Sequence, residues 1–120
     1  MAVVLVVDDD KDLLPILSDA LTTEGWRVLA ASSAAAALRT ARSIGVDVVL
    51  TDLLMPDQDG PSLESAFRGE PVLKDIPFVF MTAAVGQLRE MRAARVLVKP
   101  FTIGEAVAIL KRCLPSDDRE

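Results

Sequence analysis

Five short apolar runs alternate with helix-patterned segments along this 120-residue chain. The runs are predicted strands at 2–7, 26–31, 46–51, 78–82 and 96–98. The first is a continuous apolar run without apolar–polar alternation, which is typical of a strand covered on both faces. Parallel neighbours need a crossover connection, usually a helix, so regular alternation of strand and helix favours a parallel sheet. The sequence therefore predicts an α/β fold with helices on both faces of a five-stranded parallel sheet.

The segments between the strands have the apolar spacing and the end residues of helices. Helices are predicted at 12–23, 34–43, 62–68, 86–95 and 102–114, and a polar tail at 115–120. Gly25 is suited to end the first helix, and Ser32 or Ser33 to begin the second. We therefore expect one domain over residues 1–114.

Composition excludes several kinds of function. With 18 acidic and 13 basic residues, the net charge is −5, which disfavours direct binding to nucleic acid and favours a cation. The lone cysteine, Cys113, allows no intrachain disulfide and predicts a reducing compartment, the cytoplasm. No signal peptide or membrane span is expected, because no apolar run is long enough. The absence of histidine excludes His-based zinc sites, Ser-His-Asp triads and phosphotransfer on a histidine of this chain.

Reactive side chains follow four of the five predicted strands. Asp8, Asp9 and Asp10 follow the first strand, whereas Asp52 ends the third. Thr82 ends the fourth strand and Lys99 follows the fifth. Each residue alone is commonly structural, as a turn former, a strand residue or a solvated cation. Because the carboxyl ends of parallel strands meet at one edge, where ligands bind in such sheets, their joint occurrence predicts a site.

Phosphoryl transfer is the chemistry that needs this set of side chains. The carboxylate oxygens of Asp8, Asp9 and Asp52 suit Mg²⁺. Asp52 is then available as a nucleophile that forms an acyl phosphate. Lys99 would supply positive charge and Thr82 a hydroxyl donor for the transferred group.

Four segments together resemble the receiver domain of response regulators, the phosphorylated module of two-component signalling. They are VLVVDDDKDLL, VVLTDLLMPDQDG, VFMTA and VLVKPF, which occur in the family's order and at strand ends. The resemblance extends from residue 2 to about residue 114. It implies a CheY-like, flavodoxin-like doubly wound sheet with strand order 2-1-3-4-5.

The resemblance also implies how the metal is held. Asp52 would be the phospho-acceptor and a metal ligand, with Asp9 as a direct ligand of Mg²⁺. Asp8 would act mainly through water, and the backbone carbonyl of Leu54 would complete the protein's ligands. Mn²⁺ would be able to replace Mg²⁺, and Asp10 would stay at the rim of the site.

On the same grounds, the side chain of Thr82 and the amide of Ala83 would bind the phosphoryl oxygens, and Lys99 would pair with them. The Lys99–Pro100 bond would be cis, a minority state for X-Pro bonds. The domain would catalyse only its own phosphorylation and dephosphorylation, so it is not expected to be an enzyme in the usual sense.

The implied phospho-donor is a phosphohistidine on a sensor histidine kinase or a histidine phosphotransfer protein, with acetyl phosphate as a small substitute. Leu13 and Leu14 either contact the helical bundle of the kinase or belong to the core. The resemblance implies a downstream protein partner but does not identify it. A dimer that forms on phosphorylation is a further expectation. The side chains of Leu54 and Ala84 offer an attacking water no hydrogen bond, which predicts a long-lived phospho-form.

Two features depart from the family's pattern. Val96 replaces the aromatic residue usual three positions before the lysine, and a valine cannot couple Thr82 to the output surface through the movement of a ring. The stretch from Thr82 to Lys99 is roughly five residues short, more than one helical turn, which predicts a shortened fourth helix. Arg89, Arg92 and Arg95 on that segment are either a solvated stripe or a contact for an acidic partner.

Two other functions remain open from the residues alone. The Asp-x-Asp at the end of the first strand also occurs in haloacid-dehalogenase-type phosphatases, in which Asp8 would be the nucleophile. A degenerate receiver that acts as a phosphate-independent protein-binding module is the other alternative. Labelling of Asp8 and Asp52 variants separates these possibilities.

Overall fold

A computed structural model describes residues 2–55, 58–83 and 95–114 of the chain. The strands in these ranges are β1 (Val3–Val7), β2 (Arg27–Ala31), β3 (Val48–Asp52), β4 (Phe78–Thr82) and β5 (Arg95–Val98). The helices are α1 (Leu13–Thr23), α2 (Ala34–Ser43), α3 (Gly60–Arg68) and α4 (Ile103–Arg112). The alternation predicted for these ranges is confirmed, and the observed ends differ from the predicted ones by at most two residues.

All five strands pair in parallel, in the order β2-β1-β3-β4-β5, so the predicted strand order is confirmed. The chain reverses its direction of winding between β1 and β3, which places a ligand-binding crevice at their carboxyl ends. β3 begins at Val48, two residues later than predicted. Asp47, the residue before β3, instead uses its side chain: its carboxylate accepts the backbone N–H of Val3, the first residue of β1, at 2.7 Å.

Two apolar cores cover the two faces of the sheet. The α2–α3 core packs alanines of α2 and the side chains of Leu63 and Phe67 against one face. Phe67 meets Phe78 edge to face, with ring centroids 5.0 Å apart. The α1–α4 core packs residues such as Leu21 and Leu110 against the other face. Burial on both faces explains why the strands are continuous apolar runs.

The helix ends follow local chemistry. Ser33, rather than Ser32, begins α2, because its side chain accepts the Ala36 N–H at 3.1 Å. Gly25 ends α1 with φ of +98°, a left-handed conformation that glycine adopts without strain. α3 begins two residues before the predicted start, because the carboxylate of Asp59 accepts the Ser62 N–H at 2.8 Å.

Some predictions concern residues outside the described ranges. One such range is 84–94, which contains most of the shortened helix predicted between β4 and β5, with Ala84, Arg89 and Arg92. The other is the predicted polar tail, 115–120. The predicted helix over 86–95 is wrong at its last residue: Arg95 pairs with Val79 as the first residue of β5. In the described ranges, no helix has the length and apolar character to cross a bilayer.

Candidate functional site

The buried carboxylate of Asp8 lies at the end of the central strand β1. Asp8 is fully buried, and its Oδ1 accepts the backbone N–H of Asp10 at 2.9 Å. Its Oδ2 accepts from the Lys99 Nζ at 3.4 Å. A buried carboxylate needs such partners, because its charged form loses hydration.

Three carboxylates converge at this edge of the sheet. Ligand oxygens of Asp8, Asp9 and Asp52 all lie within 4.8 Å of one another. Asp8 is buried, Asp52 is partly buried, and Asp9 is exposed to solvent. Opposite ligands of an octahedral Mg²⁺ are about 4.2 Å apart, so the three side chains fit this ion with small adjustments. The structure therefore brings the predicted carboxylate ligands together.

Lys99 joins the group from the outer strand β5. Its Nζ lies 3.4 Å from the Asp8 carboxylate and 3.5 Å from Asp52 Oδ1. Its backbone N–H donates to the Thr82 carbonyl at 2.8 Å and so extends the pairing of β4 with β5. The predicted cis bond between Lys99 and Pro100 is confirmed.

The electrostatic environment of Asp52 favours an added cation. Burial raises the pKa of the Asp52 carboxyl above its ordinary value. Lys99 acts in the opposite direction, whereas the negative charges of Asp8 and Asp9 raise the pKa further. Among the described residues, the ammonium group of Lys99 thus contacts two of the three carboxylates, those of Asp8 and Asp52. A divalent ion would compensate the remaining charge.

Thr82 and Ala83 lie at the end of β4. Thr82 is 2% exposed, and Ala83 is exposed. Because Met81 pairs with Asp52 in the register of β3 and β4, Thr82 is one position beyond the acidic residue. This places both predicted phosphoryl contacts at the same edge as the carboxylates.

The loop after β3 is closed by two backbone hydrogen bonds. Leu53 N–H donates to the Met81 carbonyl at 2.8 Å, and Gly60 N–H donates to the Leu53 carbonyl at 2.9 Å. Leu54 follows directly and is 51% exposed, whereas Leu53 is buried. The predicted carbonyl ligand Leu54 is therefore in a loop that is anchored at its start and its end.

Asp10 has a role that sequence reasoning missed. Its Oδ1 accepts the N–H groups of Asp12 and Leu13 at 2.9 and 3.1 Å. These bonds hold the pKa of the Asp10 carboxyl below its ordinary value, and the bond from Leu13 has the larger effect. Asp10 is exposed and outside the carboxylate group, so its predicted place at the rim is confirmed. The signal was an aspartate just before a helical pattern, a common helix-start residue.

An apolar groove of about 510 Å³ adjoins the carboxylate group. It lies between α1 and the residues after β5, and it is lined by Leu13, Ile16, Leu17, Ala20, Ala83, Lys99, Pro100, Phe101 and Ile103. Ile16 is 67% exposed, which is unusual for a large apolar side chain. Leu14 instead packs against the α1–α4 core. Of the two predicted contact residues, Leu13 alone lines the groove.

A family model described as the response regulator receiver domain matches residues 4–111. The chain is 38% identical over 117 residues to the transcriptional regulatory protein PrrA of Mycobacterium tuberculosis, covering 92% of this chain and 49% of PrrA. It is 34% identical over 116 residues to the DNA-binding transcriptional regulator NtrC of Proteus hauseri, covering 92% of this chain and 24% of NtrC. The chain thus spans half or less of the length of these relatives.

Solved structures agree with this assignment. The chemotaxis protein CheY4 of Vibrio cholerae superposes with a TM-score of 0.85 at 29% identity, covering 95% of this chain and 99% of CheY4. The response regulator TrrA of Thermotoga maritima, solved in complex with Mg²⁺ and BeF, superposes with a TM-score of 0.82 at 28% identity. That match covers 95% of this chain and 100% of TrrA. The chain therefore belongs to the response regulator receiver domain family of two-component systems.

Proposed function

We propose that Asp52 accepts a phosphoryl group from a phosphohistidine on a sensor histidine kinase or a histidine phosphotransfer protein. The observation that carries this proposal is the position of the Asp52 carboxylate. It is partly exposed at the end of β3, within 4.8 Å of two further carboxylates. Lys99 lies 3.5 Å from it, so a cationic group already faces the acceptor oxygen.

Asp8, Asp9 and Asp52, with the carbonyl of Leu54, would hold Mg²⁺ or Mn²⁺. The ion would offset the negative charge that the acceptor and the incoming phosphoryl group bring together. The fit of the three carboxylates to an octahedral ion supports this ligand set. An oxygen ligand set of this kind disfavours the softer transition metals.

The transfer is a displacement at phosphorus. A carboxylate oxygen of Asp52 forms the new P–O bond, and the P–N bond to the donor imidazole breaks, with its electron pair remaining on the imidazole. Lys99 would pair with the negative phosphoryl oxygens, while the Thr82 hydroxyl and the Ala83 amide would donate hydrogen bonds to them. The domain would thereby act in its own phosphorylation. It would act in its own dephosphorylation when water attacks phosphorus and the P–O bond to Asp52 breaks, which restores the carboxylate and releases inorganic phosphate.

The apolar groove beside the site suits the helical bundle of the phospho-donor. Its lining from Leu13 and Ile16 on α1 adjoins Lys99, so a helix packed there would deliver a phosphohistidine close to Asp52. Leu13 is therefore proposed as a docking residue. Location in the cytoplasm, a phosphorylation-dependent dimer and a downstream protein partner stay predictions.

Burial argues against the phosphatase alternative. Asp8 would have to attack a substrate, yet it is fully buried and both of its oxygens accept hydrogen bonds. Among the described residues, a phosphate-independent binding module gains support from Val96, which packs against the α2–α3 core instead of presenting a ring; the short segment between Thr82 and Lys99 is the other feature that favours it. The convergence of Asp8, Asp9 and Asp52 beside Lys99 supports a domain that uses phosphate.

Intact mass after incubation with acetyl phosphate and Mg²⁺ tests the proposal. The native chain should gain about 80 Da, the mass of one phosphoryl group, and Asp52→Asn should gain nothing. Asp75→Asn is the matched control, because Asp75 is an exposed aspartate in the loop before β4, at the other end of the sheet. Labelling that persists in Asp52→Asn but disappears in Asp8→Asn would support the phosphatase alternative. No label on the native chain would support the binding module.

A further inference from the structure

Gly60 is a buried glycine at the first position of α3. The glycine with positive φ among the described residues is Gly25, so Gly60 is not required by backbone conformation. A Cβ atom placed on Gly60 would lie 2.8 Å from the Phe80 ring and 2.9 Å from the carbonyl oxygen of Asp52. Lack of space, rather than a turn, excludes a side chain at this position.

Neither neighbour of Gly60 is free to yield. Phe80 is 1% exposed and belongs to the α2–α3 core, in which close packing resists displacement. The Asp52 carbonyl belongs to the backbone of β3, which pairs with strands on both sides. Ordinary contact begins at 3.4 Å, so the backbone contact alone would force a shift of about 0.5 Å.

The same glycine closes the loop that carries a proposed metal ligand. The Gly60 N–H donates to the Leu53 carbonyl, and Leu54 is the next residue along the loop. A side chain on Gly60 would therefore press on the backbone of Asp52 and on the loop of Leu54 together. Each carries a group that the proposed function assigns to the metal, namely the Asp52 carboxylate and the Leu54 carbonyl.

We propose that Gly60 is a positioning residue for the metal site, because it lets the start of α3 abut the Asp52 backbone. This inference rests on the proposed function. Mg²⁺ requires nearly ideal octahedral geometry, with ligands at 2.0–2.1 Å. A displacement of about 0.5 Å is therefore expected to weaken metal binding at least tenfold, as loss of outer supporting groups does at other metal sites.

The affinity for Mn²⁺, measured by the electron paramagnetic resonance signal of the free ion, is the readout. It requires no phosphorylation. Gly60→Ala should raise the Mn²⁺ dissociation constant at least tenfold. Gly104→Ala is the matched control, since Gly104 also lies in the first turn of a helix, and its Cβ would meet only an ordinary contact at 3.8 Å. The control should bind Mn²⁺ within twofold of the native chain.

Phe80→Leu separates the two contacts. It removes the ring that a Cβ on residue 60 would strike, but it leaves the Asp52 carbonyl in place. We expect the double variant Gly60→Ala/Phe80→Leu to bind Mn²⁺ at least fivefold more weakly than Phe80→Leu alone. Equal affinity of these two variants would overturn the inference, and so would native affinity in Gly60→Ala.

Amide hydrogen exchange on the native chain covers the case in which Gly60→Ala does not fold. Because binding free energies are reciprocal, a metal that needs the start of α3 and the loop of Leu54 in their native positions must also stabilise the Gly60–Leu53 bond, which joins them. Exchange of the Gly60 amide should slow on Mn²⁺ or Mg²⁺ addition more than exchange of the Ala37 amide, which bonds the Ser33 carbonyl in α2. Equal slowing at the two amides would contradict the inference.

Failure of the proposed function gives a different result. If the native chain neither binds Mn²⁺ nor gains mass with acetyl phosphate, the metal site itself is wrong. If the native chain does both and Gly60→Ala matches it, only the role of Gly60 is wrong.

Discussion

The ammonium group of Lys99 lies 3.4 Å from the carboxylate of Asp8, although the two residues are 91 positions apart. The Asp8 side chain is 1% exposed and the Lys99 side chain 24%, so the pair is largely shielded from water. Its geometry is long for a hydrogen bond, and Lys99 is shared with Asp52 at 3.5 Å. The lysine therefore partly compensates two carboxylates and fully satisfies neither.

Replacement of Lys99 should lower the stability of the fold in a way that a bound metal ion reverses. Lys99→Ala leaves the buried Asp8 carboxylate without its cationic partner, which should lower the free energy of unfolding by about 2 kcal/mol in the absence of divalent ions. Saturating Mg²⁺ should restore most of this loss, since it stabilises the folded state that binds it. Urea denaturation with and without Mg²⁺ measures both effects. Lys74→Ala, at an exposed lysine, should change neither value, and equal stability of Lys99→Ala and the native chain without metal would contradict the prediction.

The cap of α3 gives a pH-dependent contribution to stability. Hydrogen bonds from Ser62 lower the pKa of Asp59 below 3.8, so its charged form is favoured in the folded state. The charged cap contributes fully to stability when the pH is above the pKa of Asp59 in the unfolded state. The contribution is lost as the pH falls through the lower pKa of Asp59 in the folded state. Asp59→Ala should cost about 1 kcal/mol at pH 7, and the difference from the native chain should shrink as pH falls below 3.8.

Denaturation of the native chain and of Asp59→Ala between pH 7 and pH 2 measures the difference in their free energies of unfolding. Asp59→Asn is the control, because asparagine keeps the cap and carries no charge. The native chain and Asp59→Asn should converge in stability at low pH. A cost of Asp59→Ala that is constant with pH would show that the charge of Asp59 contributes nothing.

The sheet edge could be predicted from sequence because topology fixes it. Once five parallel strands were recognised, residues after each strand had to converge, and Asp8, Asp52 and Lys99 do so. The local cap at Ser33 was predictable for the same kind of reason, because its chemistry involves only the next three residues.

Other features depend on packing between distant residues and could not be predicted. Three consecutive aspartates have the same charge, yet Asp8 is buried whereas Asp9 and Asp10 are exposed, and Asp10 alone accepts the N–H groups of Asp12 and Leu13 ahead of α1. Gly60 follows turn residues in the sequence, where conformational freedom is the usual reason for a glycine. Only the positions of Phe80 and the Asp52 carbonyl identify lack of space as the reason.

Ser18 offers a test of a buried polar atom. Its Oγ is buried and has no hydrogen-bond partner among the described residues. Ser18→Ala removes this unsatisfied hydroxyl, so it should raise the free energy of unfolding by about 1 kcal/mol. Part of that gain is helix propensity, and Ser65→Ala, at an exposed position of α3, measures this part alone. Urea denaturation should place Ser18→Ala above Ser65→Ala, and the reverse order would indicate that the Ser18 hydroxyl is hydrogen-bonded in solution.

The side chain of Leu54 should set the lifetime of the phospho-form. It is 51% exposed two residues after Asp52 and offers no hydrogen bond to a water that attacks the acyl phosphate. We expect a half-life well beyond seconds for the native chain, measured as loss of the added mass after removal of acetyl phosphate. Leu54→Asn should shorten this half-life about tenfold, because the amide can orient the water. Leu54→Met keeps the apolar character and should leave the half-life unchanged; a native half-life of seconds, or equal rates in all three proteins, would show that this side chain does not control hydrolysis.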